Sequence, residues 1–309
     1  VYDPQKRKNF LLDKQGHLLR SFASQGEGPG EVRRQHRLFV SADHILICDD
    51  SQIHDFSADG SFLTRFEHPF MRAPVAFFLS PQRFVSATQI SFPGQDARGV
   101  LTFHDLGDGS SRELASFNVF QGSAVKDGER RMVMLVEFLT PMMMAATDGK
   151  SIFYGRNDRY EIHRCDLDGT SRGVWLLDRP NKPYSMEQKR QRFTNQRAGV
   201  SDAAHQQFLR QLPEVQTQFV RLQCWKGHLL VKITDGTRTD SQAYDLFAFE
   251  GQYRCRLVLQ APEGCEMTPP LGQNPLIDGD HVFMTLEDEN GDIRLEVAEM
   301  LLPEGLLAE

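Results

Sequence analysis

The stretch Arg37 to Phe66, RLFVSADHILICDDSQIHDFSADGSFLTRF, decides the fold. Arg37-Leu38-Phe39-Val40 reads as a strand, and Ser41-Ala42-Asp43 turns the chain. His44-Ile45-Leu46-Ile47-Cys48-Asp49 is a second strand, closed by Asp50-Ser51-Gln52. Ile53-His54-Asp55-Phe56 is a third, and Ser61-Phe62-Leu63-Thr64-Arg65-Phe66 alternates as a fourth after the turn Ser57-Ala58-Asp59-Gly60. Short β-branched and aromatic runs between Gly, Asp and Ser clusters are the signature of strands and hairpins. Asp-Gly suits a tight hairpin because glycine takes positive φ without strain. Four antiparallel strands in succession make one propeller blade.

The same acidic-glycine turn recurs at Asp13-Lys14-Gln15-Gly16, Leu106-Gly107-Asp108-Gly109, Asp166-Leu167-Asp168-Gly169, Phe249-Glu250-Gly251 and, more weakly, Pro303-Glu304-Gly305. Repeats of this size with several strands each indicate a propeller or an array. The four-strand reading extends to Ala76–Asn118, Met144–Asp178 and Phe219–Leu259. Residues 1–23 supply the later strands of one repeat and Asn274–Met300 the earlier strands of another. The expectation is all-β: one six-bladed β-propeller of four-stranded antiparallel blades over 1–309, its terminal blades completed by opposite ends of the chain. Between Asp178 and Phe219 the strand pattern lapses. Ser185-Met186-Glu187-Gln188 is a capping-box start, and Ser201-Asp202 opens a second helical stretch stopped by Pro213. A two-helix insertion over about 184–213 is therefore expected, with Phe193, Phe208, Leu209 and Leu212 on its apolar side.

Composition is that of a globular chain, 40% hydrophobic and 25% charged with 22 Phe. A formal net charge of −7 argues against a general nucleic-acid binder. No stretch reaches the roughly 20 apolar residues that span a bilayer; Met132–Ala146 is too short and is broken by Glu137 and Pro141. Of the five cysteines, Cys48 and Cys165 sit in apolar strands and are expected to be buried thiols, Cys255 and Cys265 could pair, and no C-x-x-C occurs. Val1-Tyr2-Asp3 reads as the end of a strand, so an upstream segment is expected.

Arg20-Ser21-Phe22, Gly26-Glu27-Gly28-Pro29-Gly30-Glu31, Ile45–Asp50 and Asp55–Gly60 together resemble the six-bladed propeller family related to NHL repeats. The resemblance is strong over residues 9–67 and holds in outline elsewhere. It implies the fold and an exported, periplasmic or cell-envelope location, and it brings no catalytic residues to this chain.

Several tempting motifs fail. Gly26–Glu31 lacks the Lys-Ser/Thr of a phosphate loop and reads as a tight loop capped by Glu31. Asp288-Glu289-Asn290-Gly291-Asp292 has Ile293 where a calcium loop requires glycine. The ten histidines are scattered, several within strands, where hydrogen bonding is expected rather than metal binding. Neither a metal nor a cofactor is expected.

What remains is charge. In a blade, the second-to-third strand loops and the connections between blades emerge at one end, opposite the acidic hairpins. Arg33, Arg34, His36, Arg37, Arg131, Arg156 and Arg159 fall in these segments, with further basic residues at Arg98, Arg130, Lys189, Arg190 and Arg192. Clustered arginines can steer and hold anions, unless they pair with local acids such as Asp96, Glu129 and Asp158. The function expected is non-catalytic recognition by a monomer, with an anionic small molecule, glycan or protein segment as partner. The alternative is a metal-dependent hydrolase or lyase at the channel mouth.

Overall fold

A computed structural model describes the chain except residues 1, 4–5, 14, 35–36, 42, 50, 68–74, 91–97, 119–123, 128–130, 135–141, 188, 191–200, 212–213, 235–239, 268–274 and 302–309. It divides into two compact units, residues 1–90 with 100–117, and 91–99 with 118–309. Three sheets centre on the first unit. Tyr2–Asp3 (β1), Lys8–Leu12 (β2) and Leu18–Phe22 (β3) form a three-stranded sheet. Arg37–Val40 (β4), His44–Cys48 (β5), Gln52–Ser57 (β6) and Phe62–Glu67 (β7) form a four-stranded antiparallel sheet in chain order. Val75–Ser80 (β8), Arg83–Ile90 (β9), Arg98–Asp105 (β10) and Ser110–Asn118 (β11) form the next.

The second unit begins with a two-stranded hairpin, Ala124–Asp127 (β12) and Arg131–Met134 (β13), where only a connection was expected. Met143–Thr147 (β14), Ser151–Arg156 (β15), Glu161–Asp166 (β16) and Ser171–Leu176 (β17) make a four-stranded sheet. Phe219–Trp225 (β18), His228–Ile233 (β19), Ser241–Ala248 (β20) and Tyr253–Gln260 (β21) make another. In the last sheet, Cys265–Met267 (β22) and Leu276–Asp278 (β23) both flank His281–Asp288 (β24), which pairs on its other edge with Ile293–Glu299 (β25).

The architecture corrects the blade count. Among the described residues there are five four-stranded sheets, not six. The two ends of the chain do not complete one another among the described pairings: Tyr2 pairs with Asn9 within the N-terminal sheet, and Leu276–Glu299 is joined by Cys265–Met267. Antiparallel neighbours satisfy each other's backbone groups locally, so each terminal half-repeat forms a sheet without a distant partner. Of the expected pair of helices, the described residues show helical residues at 186–187 and 189–190 and one full helix. Lys189 N–H donates to Ser185 O at 3.1 Å in a helical turn, residues 191–200 lie outside the described set, and one helix, Asp202–Gln211 (α1), follows with Leu209 fully buried. Asp202 in its first turn and Arg210 in its last both complement the helix dipole.

The apolar pattern explains the packing. Strands β5 and β6 are buried on both faces, which is why Ile45-Leu46-Ile47-Cys48 reads as an unbroken apolar run. Ile45, Ile47 and Phe56 pack with Phe22 and Val32 on one side. Leu46, Cys48 and Ile53 pack with Phe84 on the other. In the second unit, Phe153, Phe219, Leu229, Val231 and Phe247 fill the space between the sheets β14–β17 and β18–β21. Leu230, Tyr244, Leu246, Met284 and Leu286 fill that between β18–β21 and β22–β25. Each fully buried side chain of this size contributes about 1.5–3 kcal/mol. An exposed pair such as Lys226–Asp280 contributes about 0–1 kcal/mol, so the apolar faces hold the sheets together.

The hairpin turns are as the sequence predicts. Gly16, Gly60, Gly109, Gly169 and Gly251 all have positive φ. Gly251 is required twice over, because its φ is +95° and a Cβ there would lie 2.6 Å from the Trp175 ring. The series continues at Gly291, φ +82°, between β24 and β25; Pro303–Gly305 lies outside the described residues. The calcium-loop lookalike is this same hairpin. Asp288 Oδ1 accepts the amides of Asn290 (2.9 Å) and Asp292 (3.0 Å). Glu31 does cap its loop, accepting Gly28 N–H at 2.8 Å, and a Cβ on Gly26 would fall 2.0 Å from the same carboxylate.

Candidate functional site

The basic segments end up in two places. Arg33, Arg34 and Arg37 belong to the first unit, and Arg131, Arg156 and Arg159 to the second. His36 lies outside the described residues, and Arg131 opens β13. In the first unit Arg33 Nε reaches Glu27 Oε1 at 3.3 Å. Arg34 is exposed, with no hydrogen bond or ion pair of its side chain among the described residues. Arg37 starts β4 directly across from Cys48. Desolvation lowers the Arg37 pKa despite its exposure, and its Coulomb interaction with Cys48 partly offsets this.

The second unit presents a more ordered arrangement at the loop between β15 and β16. Arg156 is committed to Asp158: Nε donates to Oδ1 at 2.6 Å and Nη2 to Oδ2, which raises the arginine pKa. Asn157 is buried and holds the loop down. Its Oδ1 accepts Met142 N–H (2.8 Å), its N–H donates to Met142 O (3.1 Å), and its carbonyl accepts Gln218 N–H (2.6 Å). Tyr160 closes the loop by donating its hydroxyl to Asp245 Oδ2 at 2.8 Å. Arg159, between these anchors, is exposed, and no partner of its side chain occurs among the described residues.

A buried polar platform continues from this loop. Gln218 Nε2 donates to Asn181 Oδ1 (2.6 Å), Gln216 Nε2 to Pro183 O (3.1 Å), and Thr217 and Thr234 hydroxyls meet at 3.1 Å. Lys189, expected on the basic surface, is buried. Buried polar groups left unbonded are costly, so this network fixes the course of residues 181–184 and 214–218, which Gln218 N–H ties to Asn157 O of the loop.

The clasp around Asp245 was not visible in the sequence. Asp245 is fully buried, yet it accepts from Tyr160 and, through both oxygens, from Arg256 (2.8 and 3.3 Å). Burial first, then the Asp245 charge and hydrogen bond, raise the Tyr160 pKa, so its proton stays in place. Two further cations were missed, Arg221 on β18 and Lys232 on β19. The available signal was a lysine interrupting the apolar run His228–Ile233.

Three of the strand histidines are hydrogen-bonded, as expected. His54 Nε2 meets buried Asp49 Oδ2 at 2.9 Å, His44 Nδ1 meets Asp55 at 2.8 Å, and His104 Nε2 meets Ser86 Oγ at 2.8 Å. Among the described residues no group of three His, Cys, Asp or Glu side chains could hold a metal ion. Cys48 and Cys165 are buried, Cys255 and Cys265 are free thiols, and burial pushes Cys48 up to about 12. Among the described residues no helix is long and apolar enough to cross a membrane.

No family model and no curated protein matches the chain. Among solved structures it is similar to a member of the DUF4221 family from Bacteroides vulgatus, with a TM-score of 0.52 and 7% identity over 95% of this chain and 86% of that one. It also matches the β-propeller domain of the Trilobed protease from Pyrococcus furiosus, with a TM-score of 0.44 and 8% identity over 98% of this chain and 79% of that one. Identities this low speak to fold alone. The repeated sheets, with the likeness at a TM-score of 0.52, define the class: an all-β propeller of four-stranded antiparallel blades.

Proposed function

We propose that this chain is a non-catalytic recognition propeller that binds an anionic small molecule, glycan or protein segment through its basic loops. The observation that carries the reading is Arg159, an exposed guanidinium on a loop pinned by Asn157 and Tyr160. A planar fork of donors on a preorganised support suits carboxylate or phosphate, because little side-chain and loop freedom remains to be lost on binding. Arg156 stands beside it but is shared with Asp158, so its role is to shape the local field. Arg34 and Arg37 are the corresponding candidates in the first unit, and Arg33, His36 and Arg131 complete the set. The single-domain organisation and the exported or envelope location belong to this same reading, and cell fractionation tests the latter.

The test is binding of a panel of anionic sugars and acidic peptides to wild type and to an Arg156→Ala, Arg159→Ala double variant, at low and physiological salt. The proposal expects weaker binding in the variant and a marked salt dependence in wild type. Binding indifferent to both would remove it.

A further inference from the structure

The last sheet ends on an edge strand unlike the others. Strand β25 pairs with β24 on one side, and among the described residues no strand covers its other side. Its register against β24 is unbroken from Ile293 to Glu299. Asp288 N–H donates to Asp292 O at 3.1 Å at one end, and Met300 N–H to Asp280 O at 2.6 Å at the other. Antiparallel neighbours exchange hydrogen bonds at every second residue, so Arg294, Glu296 and Ala298 bond to β24. The N–H and C=O groups of Ile293, Leu295 and Val297 therefore point to the open edge. Their side chains share one sheet face and are 66%, 64% and 51% exposed.

Open edges invite pairing with another chain, and proteins blunt them with bulges, lysine or proline. The outer strands β3, β7, β17 and β21 each carry a register shift against their neighbour, and such bulges bend and twist an edge. Strand β25, Ile293-Arg294-Leu295-Glu296-Val297-Ala298-Glu299, has no bulge, lysine or proline. Run antiparallel, the same segment is its own complement. With Leu295 opposite its own copy, Ile293 faces Val297 and Arg294 faces Glu296 on both sides of the centre. Arg294 and Glu296 are partly exposed, and their contact within the strand is long, 3.5 Å. Moving the centre by one residue sets Arg294 against Arg294 or Glu296 against Glu296, and like charges directly opposite are unfavourable.

We propose that β25 is a self-association edge, at which a second copy of this chain adds antiparallel, centred on Leu295, to form a two-fold dimer. Such an interface is isologous, the same patch meeting itself. The dimer stands in place of the monomer expected from the sequence and does not depend on the Arg159 loop. The backbone groups of Ile293, Leu295 and Val297 in each copy satisfy those of the other, as in strand addition to a sheet edge. The apolar pairs adjoin on one face and the Arg294–Glu296 pairs on the other. One strand pair buries less than the roughly 1,200–2,000 Å² of a standard interface, so the dimer forms in a concentration-dependent way.

The experiment is sedimentation velocity of the whole chain over a wide concentration range, with circular dichroism to establish that each variant is folded. Wild type is expected to pass from monomer to dimer and no further. Leu295→Lys, at an exposed position, should leave the fold intact and weaken the dimer about tenfold or more, because it sets two ammonium groups opposite one another. Arg294→Glu and Glu296→Arg should each weaken it to a similar degree. Both reversals in one chain, or a mixture of the two single variants, should restore a dimer, which a merely structural role of these side chains would not do. Arg159→Ala should leave the dimer unchanged, which keeps this surface distinct from the loop site. Wild type monomeric throughout, association that continues beyond the dimer, a dimer retained in Leu295→Lys, or charge reversals without rescue would overturn the proposal.

Discussion

The two ends of β16 make the instructive comparison. At its hairpin end Asp166 accepts from Arg172 Nε at 2.7 Å, Asp168 accepts Thr170 N–H at 2.8 Å, and Gly169 turns the chain at φ +84°. The charges there are spent on the turn. At the loop end, five residues earlier in the chain, the anchoring is done by a buried amide and a tyrosine, Asn157 and Tyr160. Arg159 is thereby left facing water. Both ends are rich in charge in the sequence. Only one presents it, because an acid within two residues of its own amides is captured locally, whereas an arginine between two anchors is held out.

The largest expected effect lies under the loop end. Asp245→Ala removes a fully buried carboxylate and leaves Tyr160 and Arg256 without their acceptor. Breaking a buried pair costs about 3–5 kcal/mol, and the low end, about 3 kcal/mol, is expected because Arg256 remains partly in water. Urea unfolding measures this, and a loss below about 1 kcal/mol would show that the clasp does not hold the loop.

In the hairpin between β20 and β21 the next largest change is Gly251→Ala. A left-handed conformation costs an L-residue about 1–2 kcal/mol, and here the new Cβ also meets Trp175 at 2.6 Å. Gly109→Ala has the same conformational cost with nothing within 4 Å, so it should destabilise less. Equal losses in the two would mean that the Trp175 contact relaxes freely.

For binding, Arg159→Ala should weaken an anionic ligand by about tenfold, near 1.4 kcal/mol, and Arg156→Ala by less, since Asp158 already engages it. Isotherms of the two single variants decide the order. The reverse order would place the ligand on Arg156 and require Asp158 to move.

The smallest effect is acid sensitivity at Asp49. Desolvation raises its pKa, but donation from Ser51 N–H, His54 and Gln52 N–H outweighs this and leaves the carboxyl below its usual value. A depressed folded pKa contributes stability that is present above the unfolded value of about 3.9 and is lost as pH falls through the folded one. Tm of wild type should therefore drop below about pH 4 more steeply than that of Asp49→Asn; parallel curves would assign the acid loss elsewhere.

The blade β4–β7 was legible almost residue for residue, because alternation and an Asp-Gly turn are local signals. The expected runs at 37–40, 44–49, 53–56 and 61–66 agree with the observed strands to within one residue. The number of four-stranded sheets was not legible, since which strand joins which edge at the chain ends is a non-local choice that spacing does not encode. Of the candidate site, the arginine-bearing loop was visible, but which arginine is neutralised by a neighbour was not. Arg156 and Arg159 differ only in the rotamers that Asp158 and the anchors permit. Asp245, Arg221 and Lys232 were hidden because a strand position does not reveal what faces it from the adjacent strand or sheet.

The most direct test is an amide-resolved NMR titration of wild type with the tightest anionic ligand from the panel. The account predicts shifts concentrated at residues 156–160 and 181–184, with the hairpins at 57–61 and 166–170 unmoved. Shifts centred on the hairpins, or spread evenly over the surface, would contradict it.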